Sequence, residues 1–202
     1  MDIKPLTPEV CDRVAHLHML YLPTPFSGRA GCELLTRYYL AICSHQGANG
    51  FVALEDGALA GFICGVWNAS EVQSTLLRSY GVQMAWWSLC QLFAEPALID
   101  EFISRFLTVQ SHAPIIETHE ESNQLELRPI VVIPEARGTG VAQQLISRLR
   151  EDARELGFRT IYLYTEPFNF PAQRLYTKVG FQEIGYRILR SSEYIYFELG
   201  TS

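Results

Sequence analysis

No block of five like charges occurs in this chain, and lysine and arginine gather into no basic stripe. Sixteen Lys and Arg stand against 22 Asp and Glu, a formal net charge of −6. That is the wrong sign for a protein that grips phosphate backbones, so nucleic acid is not an expected partner. No apolar run reaches the roughly 18 residues that a spanning helix requires, and no transmembrane segment is expected. The opening Met1-Asp2-Ile3-Lys4-Pro5 lacks the apolar stretch of a secretory signal. No C-x-x-C pair is present, and the five cysteines (Cys11, Cys32, Cys43, Cys64 and Cys90) make an odd number. Their apolar neighbours, as in Phe62-Ile63-Cys64 and Ser88-Leu89-Cys90, read them as small buried hydrophobes in a reducing compartment. The expected location is cytoplasmic, with no metal. Internal repeats and low-complexity linkers are also missing, so residues 1–202 read as a single domain.

What is present is ordinary globular material, 48% hydrophobic and 19% charged. Residues 2–6 suit a short strand, and Thr7-Pro8 suits a helix start with Thr7 as N-cap. Val10, Val14, Leu17 and Leu20 would form that helix's apolar face; a second helix over 31–44 would use Leu34, Leu35, Tyr38 and Ile42. Residues 50–67 read as a hairpin turning at Glu55-Asp56-Gly57. Residues 69–112 are very apolar, with Leu76, Leu77, Trp86, Trp87, Leu89, Leu92 and Phe93 before Pro96 and Leu98, Ile99, Phe102, Ile103 and Phe106 after it. They read as a helical insertion, with an acceptor lid, a homodimer face or an interfacial membrane patch as sharper alternatives. Strand character returns over 125–133. A helix over 140–156 follows, its inner face Val141, Leu145, Leu149 and Leu156, then a strand over 160–164 and a short helix over 172–178. A hairpin of 181–189 and 193–199 closes the chain.

The chemistry gathers at Ile130-Val131-Val132-Ile133-Pro134-Glu135-Ala136-Arg137-Gly138-Thr139-Gly140-Val141-Ala142. A strand ends, proline turns the chain, and two glycines open an amphipathic helix. Glycine lets backbone approach a ligand closely, and a helix start offers unpaired N–H groups and a positive dipole end. Arg137 adds a fixed positive charge suited to phosphate oxygens. A Walker A loop is excluded, because Val141 follows Gly140 where lysine is required. A dinucleotide fingerprint is a weaker rival: Gln143 stands where its third glycine or alanine belongs, four residues separate strand from first glycine, and only Glu166 suits a ribose-binding acid. A purely structural turn is the bland alternative.

The segment resembles the acyl-CoA signature Q/R-x-x-G-x-G/A of the GNAT acetyltransferase superfamily, through Arg137, Gly140 and Ala142. A second block, Asn169-Phe170-Pro171-Ala172-Gln173-Arg174-Leu175-Tyr176-Thr177-Lys178-Val179-Gly180-Phe181, is similar to its N-x-x-A-x-x-L-Y-x-K-x-G-F element. The resemblance is clearest over 125–186. It implies an α/β fold with a GNAT-like mixed, mostly antiparallel central sheet flanked by helices, the insertion falling between the third and fourth strands. It also implies that the fourth and fifth strands splay around the donor. By the same resemblance, Ile130, Val131 and Val132 would hold the pantetheine and acyl carbonyl through their backbones. Arg137, Gly138, Thr139, Gly140, Val141 and Ala142 would cradle the pyrophosphate, and Asn169 would contact the CoA arm. Tyr176 matches the tyrosine that protonates the departing thiolate.

The implied activity is N-acyl transfer, with acetyl-CoA as co-substrate and a primary amine, small-molecule or peptide, as acceptor. Amino sugars, polyamine-like metabolites and protein amines all stay open. The base is less defined. The fifth-strand position that carries glutamate in some members is Tyr164 here; others use a fourth-strand glutamate, and Glu126, which lies near there, is the candidate carboxylate. An enzyme with no dedicated base that relays the proton through ordered water also stays open. Glu117, His119, Glu120 and Glu121 form an acidic cluster that could attract a cationic amine or merely solvate a loop. Of His16 and His18, only one can face the core, as a satisfied structural histidine. A non-catalytic acyl-CoA-binding module of the same fold is the rival reading.

Overall fold

The computed structural model describes residues 1–22, 28–44, 47–78, 81, 123–189 and 192–202. The greater part of the expected insertion lies outside these residues. So do Trp86 and Trp87, the stretch after Pro96, Cys90, and the cluster from Glu117 to Glu121. The chain divides into two compact units.

The first unit comprises Met1–Leu6, Asn49–Trp67 and the described residues from 123 on. It is built on a seven-stranded sheet of order β1-β2-β3-β4-β5-β7-β6. The strands are β1 (Asp2–Pro5), β2 (Ala48–Glu55), β3 (Ala58–Val66), β4 (Gln124–Val132), β5 (Thr160–Thr165), β6 (Gln182–Leu189) and β7 (Ser192–Gly200). β4 and β5 run parallel, whereas β1–β2, β3–β4, β5–β7 and β6–β7 are antiparallel. β2 turns into β3 through Asp56 (φ 49°) and Gly57 (φ 81°), the paired positive angles that a two-residue hairpin favours. This is the mixed, mostly antiparallel α/β sheet that the motifs implied.

Two helices belong to this unit, α4 (Val141–Glu155) and α5 (Phe170–Lys178). α4 buries Val141, Leu145, Ile146, Leu149 and Ala153 in a core shared with Phe51, Ile63, Leu125, Ile161, Leu163 and Phe197. Full burial of each such leucine contributes about 1.5–3 kcal/mol. Leu156, expected on the inner face, is 51% exposed, because the helix ends at Glu155 and the chain turns at Gly157. Asn49 donates to the Asp152 carboxylate, tying β2 to α4.

The second unit holds α1 (Cys11–Tyr21), α2 (Gly28–Ser44) and α3 (described over 69–78). Thr7 does not cap α1. Pro8–Val10 form a 3-10 turn first, and the helix begins at Cys11. Its buried stripe is Cys11, Val14 and Ala15, with Leu20 60% exposed at the far end. α2 buries Leu35, Tyr39, Ala41 and Ile42, and α3 buries Val72 and Leu76.

Candidate active site

β4 and β5 share three rungs, Gln124↔Thr160, Leu125↔Ile161 and Glu126↔Tyr162, and then part. β4 stays on β3, with Ile130, Val131 and Val132 opposite Ile63, Phe62 and Gly61. Opposite Ile63 and Gly65 the register slips, so that Arg128 and Pro129 occupy a bulge on β4. Proline suits that position, where a ladder hydrogen bond is already forgone. Beyond the bulge, the Ile133 N–H donates to the Ala60 carbonyl at 3.0 Å. Antiparallel alternation therefore turns the backbone groups of Val132 and Ile130 away from β3, toward the side that β5 has vacated. A Cβ on Gly61 would lie 2.6 Å from the Val131 carbonyl oxygen, so glycine is required for this close pairing.

The chain leaves β4 through the 3-10 turn Pro134–Ala136. The Arg137 Nε donates back to the Val132 carbonyl at 3.1 Å, holding the guanidinium at the exit of the strand. Gly138 (φ 80°) and Gly140 (φ 94°) then take left-handed angles. A Cβ at Gly140 would meet only Gln143 Oε1, at 3.6 Å, so the angle and not the space demands glycine. The Thr139 hydroxyl donates to the Ala136 carbonyl at 2.8 Å and does not cap α4, which has no side-chain cap at all. The first helical bond runs from the Gln144 N–H to the Gly140 carbonyl. The N–H groups of the first turn thus have no partner within the helix or from a cap. Val141 is buried, so it anchors the turn and offers only its backbone; Gly138 and Thr139 are exposed, Ala142 half-buried.

Asn169 lies at the end of the loop after β5. Its Oδ1 accepts from the Ala172 N–H at 3.3 Å and caps α5. Tyr176 stands on α5, 7% exposed, its ring 5.6 Å from Phe181 and 5.9 Å from Phe197. Burial raises its hydroxyl pKa to about 12. The group is a neutral donor throughout the physiological range.

Glu126 is buried on the last rung of the fork. Its Oε1 accepts from the Arg128 Nε at 2.6 Å, and its Oε2 from the Tyr162 hydroxyl at 3.4 Å. Tyr162, Tyr164 and Tyr196 pack together on the same face, centroids 5.2–5.9 Å apart. Tyr196 donates to Glu198 at 2.5 Å, and the Arg187 guanidinium lies 5.1 Å over the Tyr196 ring. Burial, followed by the Glu126 charge, raises the pKa of both Tyr162 and Tyr164; burial and then the Glu198 hydrogen bond raise that of Tyr196. Sequence reasoning missed this polar aromatic face. Its signal was the alternation Tyr162-x-Tyr164 and Tyr194-x-Tyr196, which puts alternate residues on one side of a strand.

The histidines belong to the second unit. His16 is exposed, while the His18 Nδ1 lies 2.6 Å from the Tyr39 hydroxyl, with burial lowering its pKa to about 4. One satisfied structural histidine was the expectation, and His18 meets it. Among the described residues, no group of three His, Cys, Asp or Glu side chains could hold a metal ion, and no helix is long and apolar enough to cross a membrane.

Comparison with known proteins gives a consistent set of likenesses. The profile of the Acetyltransferase (GNAT) family matches residues 14–181. An uncharacterized N-acetyltransferase of Escherichia coli K12, YjgM, is 39% identical over 71 residues, 35% of this chain and 42% of that protein. N-acetyltransferase 8F1 of Rattus norvegicus is 32% identical over 76 residues, 38% of this chain and 34% of that protein. The aligned stretches therefore span less than half of either relative. Among solved structures, a GNAT-family acetyltransferase from Desulfovibrio desulfuricans superposes with TM-score 0.61 at 15% identity, covering 100% of this chain and 99% of that one. A point mutant of the spermidine N-acetyltransferase SpeG of Vibrio cholerae gives 0.61 at 15% identity, covering 100% and 96%.

Proposed function

Because the chain belongs to the GNAT acetyltransferase family, matched over residues 14–181, we propose that it moves an acetyl group from acetyl-CoA to a primary amine. One observation carries the reading: an uncapped helix start with two left-handed glycines lies directly after the strand that parts from its neighbour. The N–H groups of the α4 entry, from Gly138 to Ala142, and the Arg137 guanidinium suit the two charges of a pyrophosphate. The outward backbone of Ile130 and Val132, with Val131 pinned to β3 between them, suits the amides of the pantetheine arm and the acyl carbonyl. Asn169 would meet the same arm from the far side of the fork.

Attack on a thioester requires a neutral amine, a stabilised oxyanion and a proton for the departing sulfur. The β4 backbone beyond the bulge offers donors for the oxyanion. Tyr176, protonated to about pH 12, offers the proton, its hydrogen bond strengthening as charge builds on sulfur. Glu126 is the carboxylate proposed to take the amine's proton or to bind the amine. We assign direct attack in a ternary complex, without an acyl-enzyme. Cys11, Cys32 and Cys43 lie on α1 and α2, and Cys64 is fully buried on β3.

A second reading, a module that binds acyl-CoA without turnover, draws support from Glu126. Both of its oxygens already accept hydrogen bonds, so an amine would have to share the carboxylate with Arg128 and Tyr162. The deciding experiment is thiol release from acetyl-CoA in the presence of amino sugars, polyamines and peptide N-termini. Turnover with any one class supports transfer and names the acceptor. Tight CoA binding without thiol release from any class supports the second reading.

A further inference from the structure

In the second unit, α1 and α2 bring two thiols into contact. Cys11 opens α1, Cys43 stands in the last turn of α2, and their sulfurs are 3.4 Å apart. A disulfide bond is about 2.05 Å long, so closure needs the sulfurs to approach by roughly 1.4 Å, within reach of rotamer adjustment and slight helix movement. Cys11 is fully buried, and its Sγ lies 3.4 Å from both the Cys43 sulfur and the Thr7 carbonyl, two acceptors of which its single proton serves one at a time. Cys43 is half-buried, which leaves it the thiol that a small reagent reaches first. Hydrogen bonding with Cys11 holds the Cys43 thiol below its ordinary pKa, against the opposing effects of burial and the Glu9 carboxylate. Reactivity follows thiolate character and access, and of the two thiols Cys43 is the one favoured on both counts. Cys64, fully buried on β3, keeps the inert character that apolar neighbours suggested for all five.

We propose that Cys11 and Cys43 form an oxidative modification site whose reagent is a hydroperoxide and whose product is a disulfide pinning α1 to α2. The Cys43 thiolate attacks one peroxide oxygen, the O–O bond breaks, and the departing hydroxide takes a proton to leave as water. Cys43 is then a sulfenic acid. The Cys11 sulfur attacks the Cys43 sulfur, the S–O bond breaks, and the hydroxyl leaves as a second water with the proton from Cys11. Two thiols lose two hydrogens and one hydrogen peroxide becomes two waters. Neither cysteine belongs to the proposed donor site, so the inference stands or falls independently of acetyl transfer.

The test is a titration of the full, reduced chain with hydrogen peroxide, followed by non-reducing digestion and mass spectrometry. The expected product is an intramolecular Cys11–Cys43 peptide pair lighter by two hydrogens, restored by dithiothreitol and unaffected by Cys64→Ala. In Cys11→Ala the closing thiol is gone, and dimedone should trap a sulfenic acid at Cys43. Should the Cys11 variant fold poorly, the wild-type cross-link still decides. The proposal is overturned by wild-type protein that keeps its circular dichroism yet forms no Cys11–Cys43 pair. Cross-linking of Cys43 to Cys32 or Cys64 in equal yield, or between molecules instead of within one, overturns it as well.

Discussion

Two helices of the first unit begin in opposite ways. α5 starts behind Asn169, whose side chain accepts a first-turn N–H, and Pro171 removes another N–H from the set needing partners. α4 starts behind Gly140 at φ 94° with no side-chain cap, the nearby Thr139 hydroxyl being spent on the Ala136 carbonyl. Both sequences face the same problem of orphaned donors. One answers it within the chain, and the other leaves the donors outward beside the fork of β4 and β5. The difference separates a helix start that serves as scaffold from one suited to an anion, and it can be tested from both ends.

The largest effect should come from the scaffold helix, because Tyr176 rides on it. Tyr176→Phe should lower turnover by about 10²-fold or more, the range of a lost general acid, while calorimetry finds CoA affinity unchanged. Unchanged turnover would remove the tyrosine from the chemistry. The same substitution should alter alkaline stability. A hydroxyl with a folded pKa of about 12, against an ordinary 10, contributes stability that is complete below pH 10 and fades as pH rises through 12. The loss amounts to about 2–3 kcal/mol. Denaturant titrations should therefore show a steeper decline between pH 10 and 12 in the wild type than in the phenylalanine variant, which keeps the part due to Tyr162, Tyr164 and Tyr196.

Next in size is the open helix start. Arg137→Ala should weaken CoA by about 1–3 kcal/mol, if a charge-assisted phosphate contact is lost, with the melting temperature of the ligand-free protein nearly unmoved. An unaltered CoA affinity in the calorimeter would erase the contrast between the two helices. Smallest is the cap. Asn169→Ala should reduce stability by about 1 kcal/mol and Asn169→Asp by much less, since aspartate caps comparably. A drop in CoA affinity in both variants would give Asn169 its second role, on the donor arm.

The α4 start was legible in the sequence because its signal is local. Glycine acts within a few residues, so Gly140 announced where α4 begins, whereas α5, expected over 172–178, starts two residues earlier behind an Asn169 cap not anticipated from the sequence. Errors arose where a periodic pattern outran its helix. Leu20 and Leu156 continue the apolar spacing of their helices, yet one sits at the far end of α1 and the other just past α4. Thr7-Pro8 signalled a helix and produced a 3-10 turn three residues ahead of it. The tyrosine face was harder to see, because Tyr162 and Tyr196 meet only through the β5–β7 register, which no local signal sets. The Glu126–Arg128 pair was nearer to hand, two residues apart on one strand face. The contact between Cys11 and Cys43 depends in turn on how α1 packs against α2. Motifs carried the proposed donor side, and tertiary pairing carried everything around the candidate carboxylate.

The parting of β4 and β5 has a thermodynamic corollary. A sheet interrupted along one line keeps edge groups in its middle, and the proposed thioester arm, with its own amides, would serve there as a surrogate strand. Such a molecule would complete the fold as well as feed the reaction. At a hundredfold excess over its Kd it would add about 2.7 kcal/mol to the folded state, so resistance to heat would track the donor supply, and the protein would be sturdiest when it has most work to do.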